Sequence, residues 1–334
     1  VLRRLIVLVA TAAVLWSLWW IAAAFSMQAG LQAWLDARRA EGWVAEADRI
    51  LVTGYPLDFT TTVTGLDLAD PGTGLAWSAP EFRFVSRAWN PVNVAAVWPA
   101  AQTVATPDER IAVEAEGMEA ALVLFPGPAL ALSSASGGLK AASMVSTRGW
   151  EASVAEARLA VDRLSGEDDR YDLRAEVARL EPTQPLLDLV DPRGRLPRQI
   201  ALMSLDATVG FDRPWDRLAI EDRRPQPVSL RLRRLKATWG QLDLEAAGAL
   251  DIDADGIATG EIQVRAVNWR EMLALGVEAG VIPPDLAGTV EGGLSLLAGA
   301  LGNPDTLELP LSFRGGLLAL GPVPLGPAPR FRLR

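Results

Sequence analysis

Two periodicities divide the chain. From Leu5 to Phe25 the residues read LIVLVATAAVLWSLWWIAAAF, apolar around every side of a helix and free of charge. A run of that length is enough to cross a hydrocarbon core of about 30 Å as one helix. From Thr53 onward the apolar positions recur every second residue in short runs, which is the pattern of half-buried strands. Between these regions, Gln28 to Ile50 places Leu31, Trp34 and Leu35 at helical spacing with Asp36, Arg39 and Glu41 away from them. That spacing predicts an amphipathic helix packed on the end of the following domain, with Gly42 ending or kinking it.

The predicted boundaries are therefore 1–27 for a transmembrane signal anchor, 28–50 for the amphipathic helix and 51–334 for a β-rich domain. A cleaved signal peptide is the alternative for the first segment, since Ala22, Ala23 and Ala24 supply small residues. Its apolar core would be shorter, however, and Trp16, Trp19 and Trp20 suit an interfacial aromatic belt. Arg3 and Arg4 flank the run on its N-terminal side, so the positive-inside rule keeps that end cytoplasmic and sends the rest across.

Within the β-rich region, DFTTTVTGLDL puts Phe59, Thr61 and Val63 on one face, with Gly65 as an expected bulge before Leu66 and Leu68. Asp70 to Gly74 is a turn signal, Leu75 and Trp77 begin the return strand, and Phe82 and Phe84 share a face in the run EFRFVSRAW that comes next. VNVAAVW, ERIAVEAEG, EAALVLFPG and PALALSS continue in the same manner. Residues 152–164 and 171–180 alternate on either side of the polar SGEDDR and read as a hairpin despite their helix-favouring alanines. Leu186 to Val190 suggests a short helix or apolar loop, and a boundary between two lobes is expected near 182–200. Met203, Leu205, Ala207, Val209 and Phe211 share a face. So do Val228, Leu230 and Leu232, after which the phase shifts to Leu235, Ala237 and Trp239. Asn268 is the expected N-cap of a helix closing at Gly280, followed by a helical or loop segment over 285–301 and a proline-rich end that suits edge strands.

Composition narrows the chemistry. Among 334 residues there is neither Cys nor His, which removes disulfides, thiol and imidazole catalysis and the usual zinc sites. A net charge of −9 speaks against nucleic acid as a partner. Asp251, Asp253 and Asp255 in LDIDADG resemble a calcium loop, but Ile262 stands where the ligating Glu should be, so a turn is the better reading. Glu167, Asp168 and Asp169 lie in a polar turn without an evident catalytic helper. Arg231, Arg233, Arg234 and Lys236 form a basic strand that could meet anionic headgroups or be an ordinary solvated face. The glycine pairs beginning at Gly137, Gly292 and Gly315 lack the context of a phosphate loop and read as turns or bulges. No catalytic residue, cofactor or metal is expected.

The anchor and the segments GYPLDFTTTVTGLDLADP, WSAPEF and NPVNVAAVWP resemble a domain-of-unknown-function family of single-pass membrane proteins from Gram-negative bacteria. The stretch from ATWGQLDLEAAGALDIDADG to NWREML, with the terminal GGLLALGPVPLG, more distantly resembles AsmA-type proteins. These resemblances imply an inner-membrane anchor carrying a periplasmic domain. The implied fold is mainly β: a long curved antiparallel sheet forming an open groove, with a few short helices. The expected role is non-enzymatic binding of lipid or acyl-bearing envelope components, in envelope lipid transport or homeostasis. The groove lining is assigned to Phe59, Val63, Trp77, Phe82, Phe84, Val209, Phe211, Leu230, Leu232 and Trp239. The alternative is an interaction protein of an envelope complex, its sheet closed into a sandwich and its edges pairing with partners. An enzyme acting on glycans through carboxylates is the third reading.

Overall fold

The computed structural model describes residues 1–221, 223–280, 282–300, 303–321 and 323–333. The fold is mainly β, and among the described residues seventeen strands join one long antiparallel sheet. The chain divides into two compact units, Val1–Leu124 with Met144–Gly149, and Phe125–Ser143 with Trp150–Arg334. The segment 182–200, expected to mark a boundary between lobes, lies inside the second unit.

The first unit opens with α1 (Leu2–Ala40), a single helix of 39 residues. It joins the apolar run to the amphipathic segment without a break, but it stops at Ala40 and not at Ile50. Gly42 takes φ +90° and turns the chain away. The next residues, with Val44, Ile50 and Val52 among them, form β1 (Val44–Glu46) and β2 (Arg49–Thr53), as β-branched side chains favour. The strands β3 (Asp58–Asp70) and β4 (Leu75–Arg87) make a long hairpin around the expected turn, where Asp70 accepts from the backbone N–H of Gly72. On its other side β3 pairs with both β1 and β2. The unit is completed by β5 (Asn90–Val97), β6 (Ala101–Ala105) and β7 (Arg110–Leu124), with β5 and β6 each bridging β4 to β7.

Gly65 is not a register bulge. Pairing proceeds in step from Thr64↔Glu81 to Leu66↔Ala79. The buried positions nevertheless move from Val63 to Leu66 and from Phe82 to Ala79, so both strands change phase together. Gly65 permits this with φ +59°, and a Cβ there would lie 2.0 Å from the Asp48 carboxylate.

The strand β8 (Leu132–Ser146) has most of its length in the second unit. It contains Gly137 and Gly138 within its run, so that glycine pair is not a turn. A meander then follows, each strand antiparallel to the next: β9 (Glu151–Arg163), β10 (Arg170–Glu181), β11 (Ile200–Phe211), β12 (Pro227–Trp239), β13 (Leu242–Ile252), β14 (Ala258–Val267), β15 (Thr306–Arg314), β16 (Leu317–Leu320) and β17 (Val323–Pro327). The expected hairpin at 152–180 is the β9–β10 pair. Short helices interrupt the meander as α2 (Gln184–Val190), α3 (Leu218–Glu221), α4 (Trp269–Glu278) and α5 (Pro284–Ala300). The glycine pair at Gly292 is inside α5. The pair at Gly315 is a turn, with φ of 58° and 77° as a tight hairpin connection requires. Asn268 precedes α4 but does not cap it: its φ is 58°, and its side-chain amide donates to the carbonyl of Gln241.

Candidate functional site

The two units treat their apolar faces differently. In the first, the register sets Phe59 opposite Ser86, Thr61 opposite Phe84 and Val63 opposite Phe82, so the expected face is real. That face is covered by α1. Leu35 packs with Val63, Leu66 and Phe82, and Leu31, Trp77, Phe84 and Trp98 fill the margins. Phe59 lies under the upstream part of the same helix, stacked on Trp20 with 5.3 Å between ring centroids and 5.9 Å from Trp19. Trp77 donates its indole N–H to Gln102 Oε1 at 2.7 Å, so it is held by a polar partner as well. Of the assigned groove residues, Phe59, Val63, Trp77, Phe82 and Phe84 therefore pack within a closed core. They do not line an open channel, because the chain's own helix occupies the space.

Trp16 and Trp20 are docking residues in addition to being aromatic. The Trp16 indole donates to the carbonyl of Pro56 at 2.9 Å, and that of Trp20 to the carbonyl of Asp58 at 3.1 Å. Ser17 and Tyr55 share a hydroxyl hydrogen bond of 2.7 Å. Sequence reasoning gave Tyr55 and Pro56 no role. Arg3 and Arg4 sit at the opposite end of α1, whose side chains from Leu2 to Leu15 are exposed.

In the second unit the register builds one apolar surface across the meander. One row runs Tyr171, Val209, Leu230, Leu250 and Gly260 to Phe313. The next runs Val161, Leu173, Ala207, Leu232, Gly248 and Ile262 to Leu311. Beyond it lie Leu159, Ala175, Leu205, Leu235, Ala246, Val264 and Leu309, then Ala157, Val177, Met203, Ala237, Leu244, Ala266 and Leu307. Phe211 and Trp239 belong to the same face as Val209, Leu230 and Leu232, and within it Phe211 and Leu232 are themselves buried.

Covering on this face is uneven. Trp269 and Met272 of α4 and Leu294 and Ala298 of α5 pack on Ala266, Leu307 and Leu309. Phe331 and Ala328 pack near Leu250 and Phe313. At the far end Tyr171, Phe211 and Trp215 form edge-to-face pairs with centroids 5.9 and 5.6 Å apart. Tyr171 accepts from the Trp215 backbone N–H and donates to the Asp168 carbonyl, and burial pushes its phenol above the usual range. Trp239 donates to the carbonyl of Pro197 at 2.6 Å. Between these covers, Leu159 remains 49% and Met203 37% exposed. Val161, Leu173, Ala175, Val177 and Leu205 are half-buried.

The opposite face is polar and internally paired. The expected phase shift in β12 is a β-bulge: Leu232 opposes Gly248 and Leu235 opposes Ala246, so Arg233 and Arg234 share one place and both point away from the apolar face. Arg233 reaches Asp206 at 2.9 Å, Asp172 at 2.8 Å and the Thr208 hydroxyl. The Thr208 hydroxyl and the Arg233 guanidinium hold the Asp172 carboxyl below its ordinary range. Arg234 and then Lys236 do the same for Glu245, while Asp243 and Glu245 raise Lys236. Three members of the basic cluster are thus matched by acidic partners, which leaves little net charge on them for a headgroup.

The acidic motifs resolve as turns. Asp253 Oδ1 accepts from the backbone N–H groups of Asp255 and Ile257, both at 2.9 Å. Glu167 pairs with Arg170 and Asp168 with Arg163.

A helix long and apolar enough to cross a membrane, joined to a long antiparallel sheet, is the class of protein these features define. The sequence model of a bacterial family, described as an uncharacterized protein conserved in bacteria (DUF2125), matches residues 20–329. The chain belongs to that family. Comparison with curated proteins gave no match, and neither did comparison with solved structures.

Proposed function

We propose that the protein is a non-enzymatic, single-pass membrane protein whose second unit binds the acyl part of a lipid or envelope component on its apolar sheet face. The observation that carries this reading is the uncovered part of that face, centred on Leu159 and Met203 and continuous with half-buried Leu173 and Leu205. A contiguous exposed apolar surface marks an interaction site. An acyl chain suits it because the rows offer apolar side chains without a polar group to select a head. The resemblance of the second half to AsmA-type proteins points the same way. In this reading the N-terminus is cytoplasmic and the β-rich body periplasmic at a bacterial inner membrane, which the position of Arg3 and Arg4 on the N-terminal flank supports through the positive-inside rule.

The test uses the full chain in a lipid-free amphipathic polymer, loaded with a photoactivatable fatty acid and mapped by mass spectrometry after irradiation. Cross-links on peptides from β9 to β11 are expected. Cross-links confined to α1 would overturn the reading.

A further inference from the structure

We infer that the tip of the first unit formed by residues 54–58 and 87–90 is a second membrane-contact surface, seated in the headgroup and upper acyl region beside the anchor helix. The inference rests on the anchor reading for α1 and extends it to the β-rich body. The geometry begins with length. The helix is free only from Leu2 to Leu15, since Trp16 is already bonded to Pro56. At about 1.5 Å per residue this free stretch is roughly 20 Å long, against a hydrocarbon core of about 30 Å. With Arg3 and Arg4 at the far interface, a tip fastened at Trp16, Ser17 and Trp20 lies below the near surface of the bilayer unless the bilayer thins.

The side chains at the tip fit that position. Tyr55 is 54%, Leu57 55% and Trp89 59% exposed, large apolar or amphipathic groups in connections that would otherwise favour polar residues. On the helix beside them, Leu18, Ile21 and Phe25 are exposed as well. The tip is also firmly built: the backbone N–H of Ala88 donates to the Leu57 carbonyl at 2.8 Å, joining its two segments. Arg87 pairs with Asp58 at 2.8 Å and lies 5.6 Å from the Trp89 ring centroid. Aromatic residues with a neighbouring arginine are what the interfacial region accommodates. A bilayer is the occupant on these grounds, because the tip is fastened through Trp16, Ser17 and Trp20 to the one helix among the described residues that is long and apolar enough to cross it.

The sequence contains no cysteine, so single-cysteine variants report one position each. Full-length Leu57→Cys, Trp89→Cys, Leu8→Cys and Thr73→Cys, each carrying an environment-sensitive fluorophore, are reconstituted into phosphatidylglycerol and phosphatidylcholine vesicles, with and without acyl-brominated phosphatidylcholine. Thr73 sits at the other end of the β3–β4 hairpin, about 40 Å from the tip at roughly 3.3 Å per residue. Labels at positions 57, 89 and 8 are expected to lose most of their emission to the brominated lipid while that at position 73 keeps it. Quenching at 8 alone would overturn the inference and leave the anchor standing. Quenching at none of the four would overturn both. Equal quenching at 57, 89 and 73 would replace a seated tip with general adsorption and so overturn the inference as well. Either of positions 57 and 89 suffices if one variant does not fold.

Discussion

The apolar faces of the two units are written in the same alternating pattern and end in different surroundings. In β3 and β4 the pattern meets α1, and Phe59, Val63 and Phe82 become core. In β9 to β11 the same alternation carries Leu159 and Met203 to an uncovered surface. The difference comes from where helices fall along the chain. The first unit begins with a helix of 39 residues, while α4 and α5 of the second reach only the strands nearest to them. Alternation identifies which side of a strand is apolar; a partner supplied from elsewhere decides whether that side is closed.

The contrast is open to measurement in reconstituted full-length protein by denaturant unfolding. Phe59→Ala removes a ring that is 1% exposed and stacked on Trp20, and is expected to cost about 3–5 kcal/mol, as for other buried aromatic truncations. A loss below ~1 kcal/mol would mean that α1 does not close this face.

Arg233→Met probes the polar side of the second unit. The Arg233 side chain is 37% and that of Asp172 33% exposed, so solvent screening limits the expected loss to ~1 kcal/mol or less near neutral pH. Its pH dependence is more telling. Because the folded-state pKa of Asp172 is depressed, its contribution is complete above the unfolded carboxylate value of about 4 and fades as pH falls through the lower folded value. The variant should therefore lose less stability on acidification than the parent. An identical acid limb in urea titrations would remove Asp172 from this role.

The smallest effect is expected at the open surface. Leu159→Ala should change stability by less than about 0.5 kcal/mol, as exposed substitutions do, while reducing capture of the photoactivatable fatty acid. A cost comparable to that of Phe59→Ala would show that something covers Leu159 and would end the comparison between open and closed faces.

Much of this architecture can be read in the residues. The turn at Asp70 to Gly74, the hairpin around SGEDDR and the phase change after Leu232 all follow from local chemistry: turn formers and period-two alternation. The end of α1 was less legible, because Val44 to Ile50 keeps apolar residues at spacings that suit a helix as well as two short strands, and pairing with β3 decides the matter. The partition of the groove residues was not legible at all. Whether Phe82 packs under a helix or Met203 stays exposed depends on segments far away in sequence. Nor does a proline-containing turn announce that Tyr55 and Pro56 will hold Trp16 and Ser17.

The bulge in β12 has a genetic consequence. In a regular strand such as β10, losing one codon turns every later side chain over to the wrong face. At Arg233 the strand already carries one residue more than its neighbour. In-frame loss of that codon would leave Leu232 and Leu235 on the same side, now in strict alternation. The site is thus a place where the gene can shorten without inverting the sheet, and only the ion pairs of Arg233 would be forfeited.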